Sequence, residues 1–393
     1  MLKIKRNTND KSRRKFIQYT AMAGTGVVLS GAQTFANMTI DNTPIESKGL
    51  AAKDETGTLE KWNFKRRPIG DHDVLIEIKY SGICHSDIHQ ERGHWGPQQY
   101  PQVPGHEIAG IVTKVGKKVT KFKVGDKAGV GCMVSSCMEC ESCNDGKEHY
   151  CDRGETKYTY GYPDKTSPTG ITQGGYSNNI VVHEHFGIHI PDSTPLEYAA
   201  PLLCAGITTY SPLMKAELYE GKKVGVAGVG GLGHLAIKLA VSKGAEVYAF
   251  TTSEDKVDDI LNFGAKEVIV VDSLDKLQPY YGKLDYMIST IPYDFDIASY
   301  SMVLKPYSDF VQVGVPIGGQ ITVNSFITHR SRAKISTSLI GGIPETQEVM
   351  NYCAENKIYP QIEMIEANQV NDAWDKVVDK KARYRFVIDA KTI

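Results

Sequence analysis

The chain has 393 residues, 41% apolar and 23% charged, with 45 bases against 46 acids. That length exceeds what one core usually serves, so two domains are expected, and the composition excludes a disordered chain or one made mainly of membrane spans. Residues 1–36 carry seven bases and one acid, leaving 38 bases and 45 acids, a net of −7, in the rest; this mildly acidic body gives no reason to expect nucleic acid or an anionic membrane surface as a partner.

The first segment reads as an address. No charged residue occurs from Phe16 to Ile40, directly after a basic stretch, and Thr34-Phe35-Ala36 ends on a small residue suited to cleavage. Gly, Thr, Ser and Gln dilute the run too much for a good transmembrane helix. Ser12-Arg13-Arg14-Lys15-Phe16-Ile17 resembles the twin-arginine export motif. Residues 1–36 are therefore expected to be a signal peptide recognised by the twin-arginine export machinery, with a periplasmic or exported product. The alternative is a basic disordered arm on a cytoplasmic protein.

Residues 37–194 open with a polar, loosely patterned stretch to about Lys53, followed by alternating runs such as DVLIEIKY and EIAGIVTKVG punctuated by Gly and Pro. They predict an irregular antiparallel β domain. Residues 195–343 change to apolar strands separated by helix-length amphipathic segments. The strands are expected at 223–227, 246–250, 267–271, 284–289, 309–314 and 333–340, and together they predict a doubly wound parallel sheet. Residues 344–393, with the helix candidate PETQEVMNYCAENK and the strand YRFVID, are expected to return and complete the first domain.

Five of eight cysteines fall between Cys132 and Cys151, which is the clustering of a metal site rather than of a disulfide framework. Cys137, Cys140, Cys143 and Cys151 form a C-x2-C-x2-C-x7-C series whose four thiolates suit a closed, tetrahedral structural zinc. Such a site organises its loop and does no chemistry. Three separated pieces offer a second set: GICHSDIH with Cys84, PGHE with His106 and Glu107, and CAGITTY with Cys204. Two thiolates and one imidazole leave a fourth zinc position open, as a Lewis-acid site requires.

With these motifs, YPQVPGHEIAGIVTKVG, QGGYS, GVGGLGHLAIKLA and YRFVID, the chain from about residue 50 onward resembles the zinc-dependent medium-chain alcohol dehydrogenases, nearest their cinnamyl-alcohol-dehydrogenase-like branch. The resemblance implies an α/β fold in which a GroES-like, β-rich catalytic domain is joined to a Rossmann domain. It further implies that Cys84, His106 and Cys204 hold a catalytic zinc, with Glu107 able to take the fourth position. Asp87 is then the acceptor for the other ring nitrogen of His106. Ser86 begins a proton relay and His89 continues it, and Thr208, His85 and Arg385 lie near the cofactor, Arg385 being equally compatible with a structural role. Trp95 walls the substrate pocket or packs in the core; His94 receives no role. A homodimer through the sheet edge near ISTSLIGG is also implied.

KVGVAGVGGLGHLAIKLAVSKG runs strand, glycine turn, helix. In a dinucleotide site Gly228 makes the turn, Gly230 admits the pyrophosphate and Gly233 packs helix on strand, with Gly231 and Leu232 completing the loop. After the second strand, where an NAD site places an acid, stand Thr252, Ser253 and Lys256, which suit the 2′-phosphate of NADP(H). Glu254 and Asp255 are the competing ribose acceptors or helix N-terminal acids.

The expectation is an exported alcohol dehydrogenase or aldehyde reductase holding two zinc ions per chain and using NADP(H). The competing readings are a zinc-free quinone reductase of the same fold and an exported zinc- or nucleotide-binding protein without turnover. Export after folding would protect a thiolate-rich chain from scrambling in an oxidising compartment.

Overall fold

The computed structural model describes residues 43–393; the reading of residues 1–36 as a signal peptide falls outside them. No helix of the described residues is long and apolar enough to cross a membrane.

The described chain begins with an antiparallel hairpin, Ile45–Ala52 on Leu59–Arg66, where the sequence predicts only loose polar structure. Its signal lies in the turn: Thr56 donates from both its backbone N–H and its hydroxyl to Asp54, and Gly57 takes φ +69°. The buried run Gly49–Ala52 breaks the period-two alternation because bridges to Ser177 and Gln102 cover its other side.

Strand Asp73–Gly82 lies at the centre of the first sheet. Ile108–Val115 covers one edge, and Asn179–His183 and Arg385–Asp389 share the other. With neighbours on both sides, Val74, Ile76 and Ile78 are buried. The sheet continues through Lys127–Val130 to Gly187–His189, and on its far side Ile362–Ile365 pairs parallel with Arg385–Asp389. The last two strands of the chain thus join the sheet that Asp73–Gly82 begins.

The second sheet has six parallel strands: Lys223–Ala227, Glu246–Thr251, Glu267–Val270, Leu284–Ser289, Leu304–Gln312 and Lys334–Thr337. In space they run third, second, first, fourth, fifth, sixth, so the direction of winding reverses between the first and fourth. The crevice beyond their C-terminal ends, at Ala227 and Ser289, is where such sheets bind ligands. The sixth strand is shorter than its apolar run predicts. After Ser338 donates its N–H to Gln312, the chain leaves the sheet and Ile340 turns to φ +36°, so Leu339 and Ile340 line the cleft instead. One apolar core joins residues of both sheets, from Val74 and Ile108 through Leu203 to Val224 and Val247.

Candidate active site

Cys84 caps the helix His85–Glu91, and the Asp87 carboxylate accepts the Cys84 backbone N–H at 2.9 Å. The fully buried Asp87 also accepts the Tyr176 hydroxyl at 2.9 Å and faces His106 Nδ1 at 2.9 Å. A histidine engaged through Nδ1 presents Nε2 to a metal, and His106 Nε2 lies 3.1 Å from Cys204 Sγ. Gly105 makes this possible: it adopts φ +104°, and a Cβ there would meet the Tyr176 ring at 2.5 Å.

Cys204 sits in a π-helical turn, Leu202–Gly206, between helices Leu196–Pro201 and Ile207–Lys215. The wider turn re-aims one side chain relative to a regular helix, a common device at functional sites. Its Sγ is 3.9 Å from that of Cys84, close to the ~3.8 Å separation of two thiolates on one tetrahedral zinc and far from the ~2.05 Å of a disulfide. Donor atoms of Cys84, His106, Glu107 and Cys204 lie within 4.8 Å of one another, all buried. Glu107 is ion-paired with Arg385, and burial pushes its carboxyl up to about 7 while the guanidinium opposes that. Two thiols, an imidazole and a nearby carboxylate fit zinc in their chemistry and spacing.

The second cysteine group is compact too. Cys137, Cys140, Cys143 and Cys151 bring their sulfurs within 4.8 Å of one another, with Cys137 to Cys143 at 3.7 Å and Cys140 to Cys151 at 3.9 Å. Backbone N–H groups of Cys140 and Asp152 donate to Cys137 and Cys140 at 3.4 and 3.3 Å. The set of four sulfurs is closed; Cys140 caps a short helix, Glu141–Asn144, Cys143 lies on it, and Cys137 and Cys151 flank it.

At the glycine turn, Gly228 has φ +81°, and a Cβ on Gly233 would sit 2.1 Å from the Gly228 carbonyl oxygen. Nothing lies within 4 Å of the space a Gly230 side chain would occupy. This cradle opens onto a cleft of about 700 Å³ that is also lined by Gly231, Leu232, Thr208, Thr252, Ser253 and Lys256. The cleft reaches Cys84, His106 and Cys204. Thr208 Oγ1, His89 Nε2 and Arg385 Nε are buried without a hydrogen-bonding partner, polar capacity that a bound dinucleotide would use. Burial pushes the Lys256 ammonium below its usual range; Asp255 and Asp259 oppose this and Arg383 adds to it.

Ser86 Oγ lies 3.5 Å from Cys84 Sγ. His89 stacks on His85 with ring centroids 4.5 Å apart, and burial together with His85 and His94 lowers its pKa to about 4. No direct hydrogen bond joins Ser86 to His89 among the described residues. Trp95 borders the cleft with its ring 5.2 Å from that of His89.

Two family models match this chain, "Alcohol dehydrogenase GroES-like domain" over residues 70–192 and "Zinc-binding dehydrogenase" over residues 231–355. The chain is 45% identical over 343 residues to the "NADP-dependent alcohol dehydrogenase C 1" of Mycolicibacterium smegmatis, an alignment covering 87% of this chain and 97% of that one. It belongs to the zinc-dependent medium-chain alcohol dehydrogenase family. Within that family it is also 44% identical over 347 residues to an aldehyde reductase, YahK, of Escherichia coli, covering 88% and 99% of the two chains. Among solved structures, this dehydrogenase superposes on the cinnamyl alcohol dehydrogenase of Helicobacter pylori complexed with NADP(H) with TM-score 0.84 and 42% identity over 89% and 99% of the two chains. The Sorghum bicolor cinnamyl alcohol dehydrogenase gives TM-score 0.85 and 37% identity over 88% and 98%.

Two residues of this dehydrogenase acquire surroundings that the sequence did not signal. His94, given no role above, places its Nδ1 2.8 Å from His89 Nδ1. Its only signal was a third histidine in HSDIHQERGH. Arg385 was placed near the cofactor; it packs against Gly231 of the glycine turn but spends its charge on Glu107.

Proposed function

We propose that this protein is a zinc-dependent oxidoreductase that transfers a hydride between NADP(H) and a primary alcohol/aldehyde pair, with broad specificity that includes aromatic substrates. The observation that carries this reading is that the open thiolate–imidazole set and the glycine turn border one cleft. Relatives named as NADP-dependent alcohol dehydrogenase and aldehyde reductase support it. Cys84, His106 and Cys204 would hold the catalytic zinc, and Cys137, Cys140, Cys143 and Cys151 the structural one. When bound, the catalytic zinc supplies Lewis acidity toward the substrate oxygen, and the nicotinamide gives or takes the hydride.

The chain's own groups handle the proton and the fit. Ser86 both accepts and donates, so its hydroxyl takes the alcohol proton beside Cys84. Burial and its neighbouring rings disfavour the His89 cation, so His89 holds a proton only in passing, and its 2.8 Å contact with the less buried His94 gives that proton a way outward. Asp87 keeps His106 in the tautomer that offers Nε2. Trp95, Tyr158, Tyr160, Tyr162, Tyr293 and Phe295 line the cleft, an aromatic wall that suits flat apolar substrates while excluding water.

The finer readings concern assembly and location. A homodimer is supported by the outer edge of Lys334–Thr337, which pairs with no other strand among the described residues, and by apolar side chains nearby, with Phe326 88% and Ile317 58% exposed; sedimentation would check it. Export is supported by Arg13-Arg14 and the uncharged run behind them. A reporter fused to residues 1–36 should leave the cytoplasm, and an Arg13→Lys/Arg14→Lys pair should retain it.

The reaction itself is tested by initial rates on aromatic and aliphatic aldehydes with NADPH and NADH in parallel, on protein of measured zinc content. NADPH oxidation at about two zinc per chain supports the assignment. Full zinc without turnover on either nucleotide would overturn it.

A further inference from the structure

We propose that Arg383 sets the cofactor preference by holding the Asp255 and Asp259 carboxylates away from the adenosine ribose. The inference rests on the NADP(H) reading and adds the residue that keeps competing acids out of that site. Acids at the end of the second strand of such a sheet accept from the ribose 2′-hydroxyl and repel a 2′-phosphate. In this chain Thr252, Ser253 and Lys256 border the cleft, whereas Glu254 and Asp255 do not. Asp255 is turned to Arg383, whose Nη2 lies 2.8 Å from Oδ2 and whose Nη1 donates to the Asp255 carbonyl oxygen at 3.0 Å. The same Nη1 meets Asp259 Oδ2 at 3.0 Å, and the Tyr384 hydroxyl donates to that oxygen at 3.0 Å. Lys256 keeps its ammonium 5.6 Å over the Tyr384 ring. One short run of the returning C-terminal segment therefore restrains two carboxylates and shapes the seat of the cation between them.

Asp255 is 66% and Arg383 42% exposed at the side chain, and pairs so open to water contribute little to folding. Their charges still act over the ~8–10 Å reach of electrostatics in physiological salt, which spans a ribose and its phosphate. Removing Arg383 frees Asp255 to swing toward the ribose and takes one positive charge from the neighbourhood of Lys256.

The test is isothermal titration of full-length, zinc-loaded protein with 2′,5′-ADP and with 5′-AMP. The unaltered protein should prefer 2′,5′-ADP. Arg383→Ala should bind 2′,5′-ADP about tenfold more weakly while 5′-AMP binds no more weakly than before, as expected when a freed carboxylate repels the 2′-phosphate but accepts from a 2′-hydroxyl. Adding Asp255→Asn to Arg383→Ala should restore most of the lost affinity. Asp255→Asn alone should bind 2′,5′-ADP at least as tightly as the unaltered protein. Selectivity left intact in Arg383→Ala overturns the proposal while sparing the NADP(H) reading, and so does a double variant as weak as Arg383→Ala, which would make the arginine a direct phosphate ligand. Equal affinity of the unaltered protein for the two fragments overturns both.

Discussion

Arg385 forms an ion pair with Glu107 in the interior, with the guanidinium side chain 4% and the carboxylate 0% exposed. The guanidinium also fills the space a Gly231 side chain would need. One residue of a late strand thus joins the carboxylate beside Cys84 and Cys204 to the glycine turn of the second sheet. Gly82 makes room for it, since a Cβ there would collide with Glu107 Oε2.

Substituting Arg385 by Met leaves Glu107 buried beside the thiols with no counter-charge. Removing one partner of such a pair costs about 3–5 kcal/mol, whereas neutralising both costs far less. Urea denaturation should show a loss of that order for Arg385→Met and recovery of most of it in Glu107→Gln/Arg385→Met. An Arg385→Met protein as stable as the unaltered one would mean that the pair is not maintained in solution.

The tetrathiolate loop should carry metal independently of the open site. Cys140→Ser is expected to lower zinc from about two to about one per chain and to open residues 137–151 to proteolysis. Metal analysis together with limited digestion checks this; loss of both ions would show that the two sites depend on each other.

His234 is fully buried and held as a neutral ring: Nε2 accepts the Gln361 backbone N–H at 3.1 Å while Nδ1 faces the Gly230 carbonyl at 3.2 Å. Burial, with Lys238 adding, lowers its pKa from 6.5 to about 3. Above pH 6.5 this costs the fold nothing. Below it the unfolded chain takes up a proton that the folded ring refuses, so stability falls by about 1.4 kcal/mol per pH unit until the folded ring titrates. Melting temperatures between pH 7 and pH 4 should drop steadily, and less steeply in His234→Gln; equal slopes would place the acid sensitivity elsewhere.

For the relay, Ser86→Ala should lower turnover about a hundredfold or more, the scale of a lost proton-transfer group, with zinc content unchanged. Loss of zinc would mean that the Ser86 hydroxyl beside Cys84 serves the metal shell instead. His94→Ala should lower turnover by a smaller factor, with recovery as the pH is raised.

Local order in the chain decided a good deal. Apolar runs with helices between them specify six parallel strands, and the fold has a strand at each place; buried ones such as Lys223–Ala227 and Leu284–Ser289 are legible because they are written as continuous hydrophobic segments, whereas the exposed edge strand Lys334–Thr337 comes out shorter than expected. The two-residue gaps of Cys137, Cys140 and Cys143 force neighbouring sulfurs together whatever surrounds them. The glycine turn is similarly self-contained: positive φ at Gly228 and the contact of Gly233 with the Gly228 carbonyl arise within six residues. The hairpin at residues 45–66 is not legible in the sequence because its first strand is buried without alternation from Gly49 to Ala52, where distant Ser177 and Gln102 pair with its other edge.

What the tertiary structure alone decided is how distant groups spend their charge. Asp87 could be recognised as a partner for His106, but not that the same carboxylate caps the helix of Cys84 and takes the Tyr176 hydroxyl. The sequence left open where Asp255 would turn; in the fold its carboxylate meets Arg383, 128 residues away. Arg385 turned to Glu107 across 278 residues. Spacing along a chain constrains groups within a turn or two of one another. A buried charge takes its partner from whatever the fold brings beside it, and only the packed molecule contains that information.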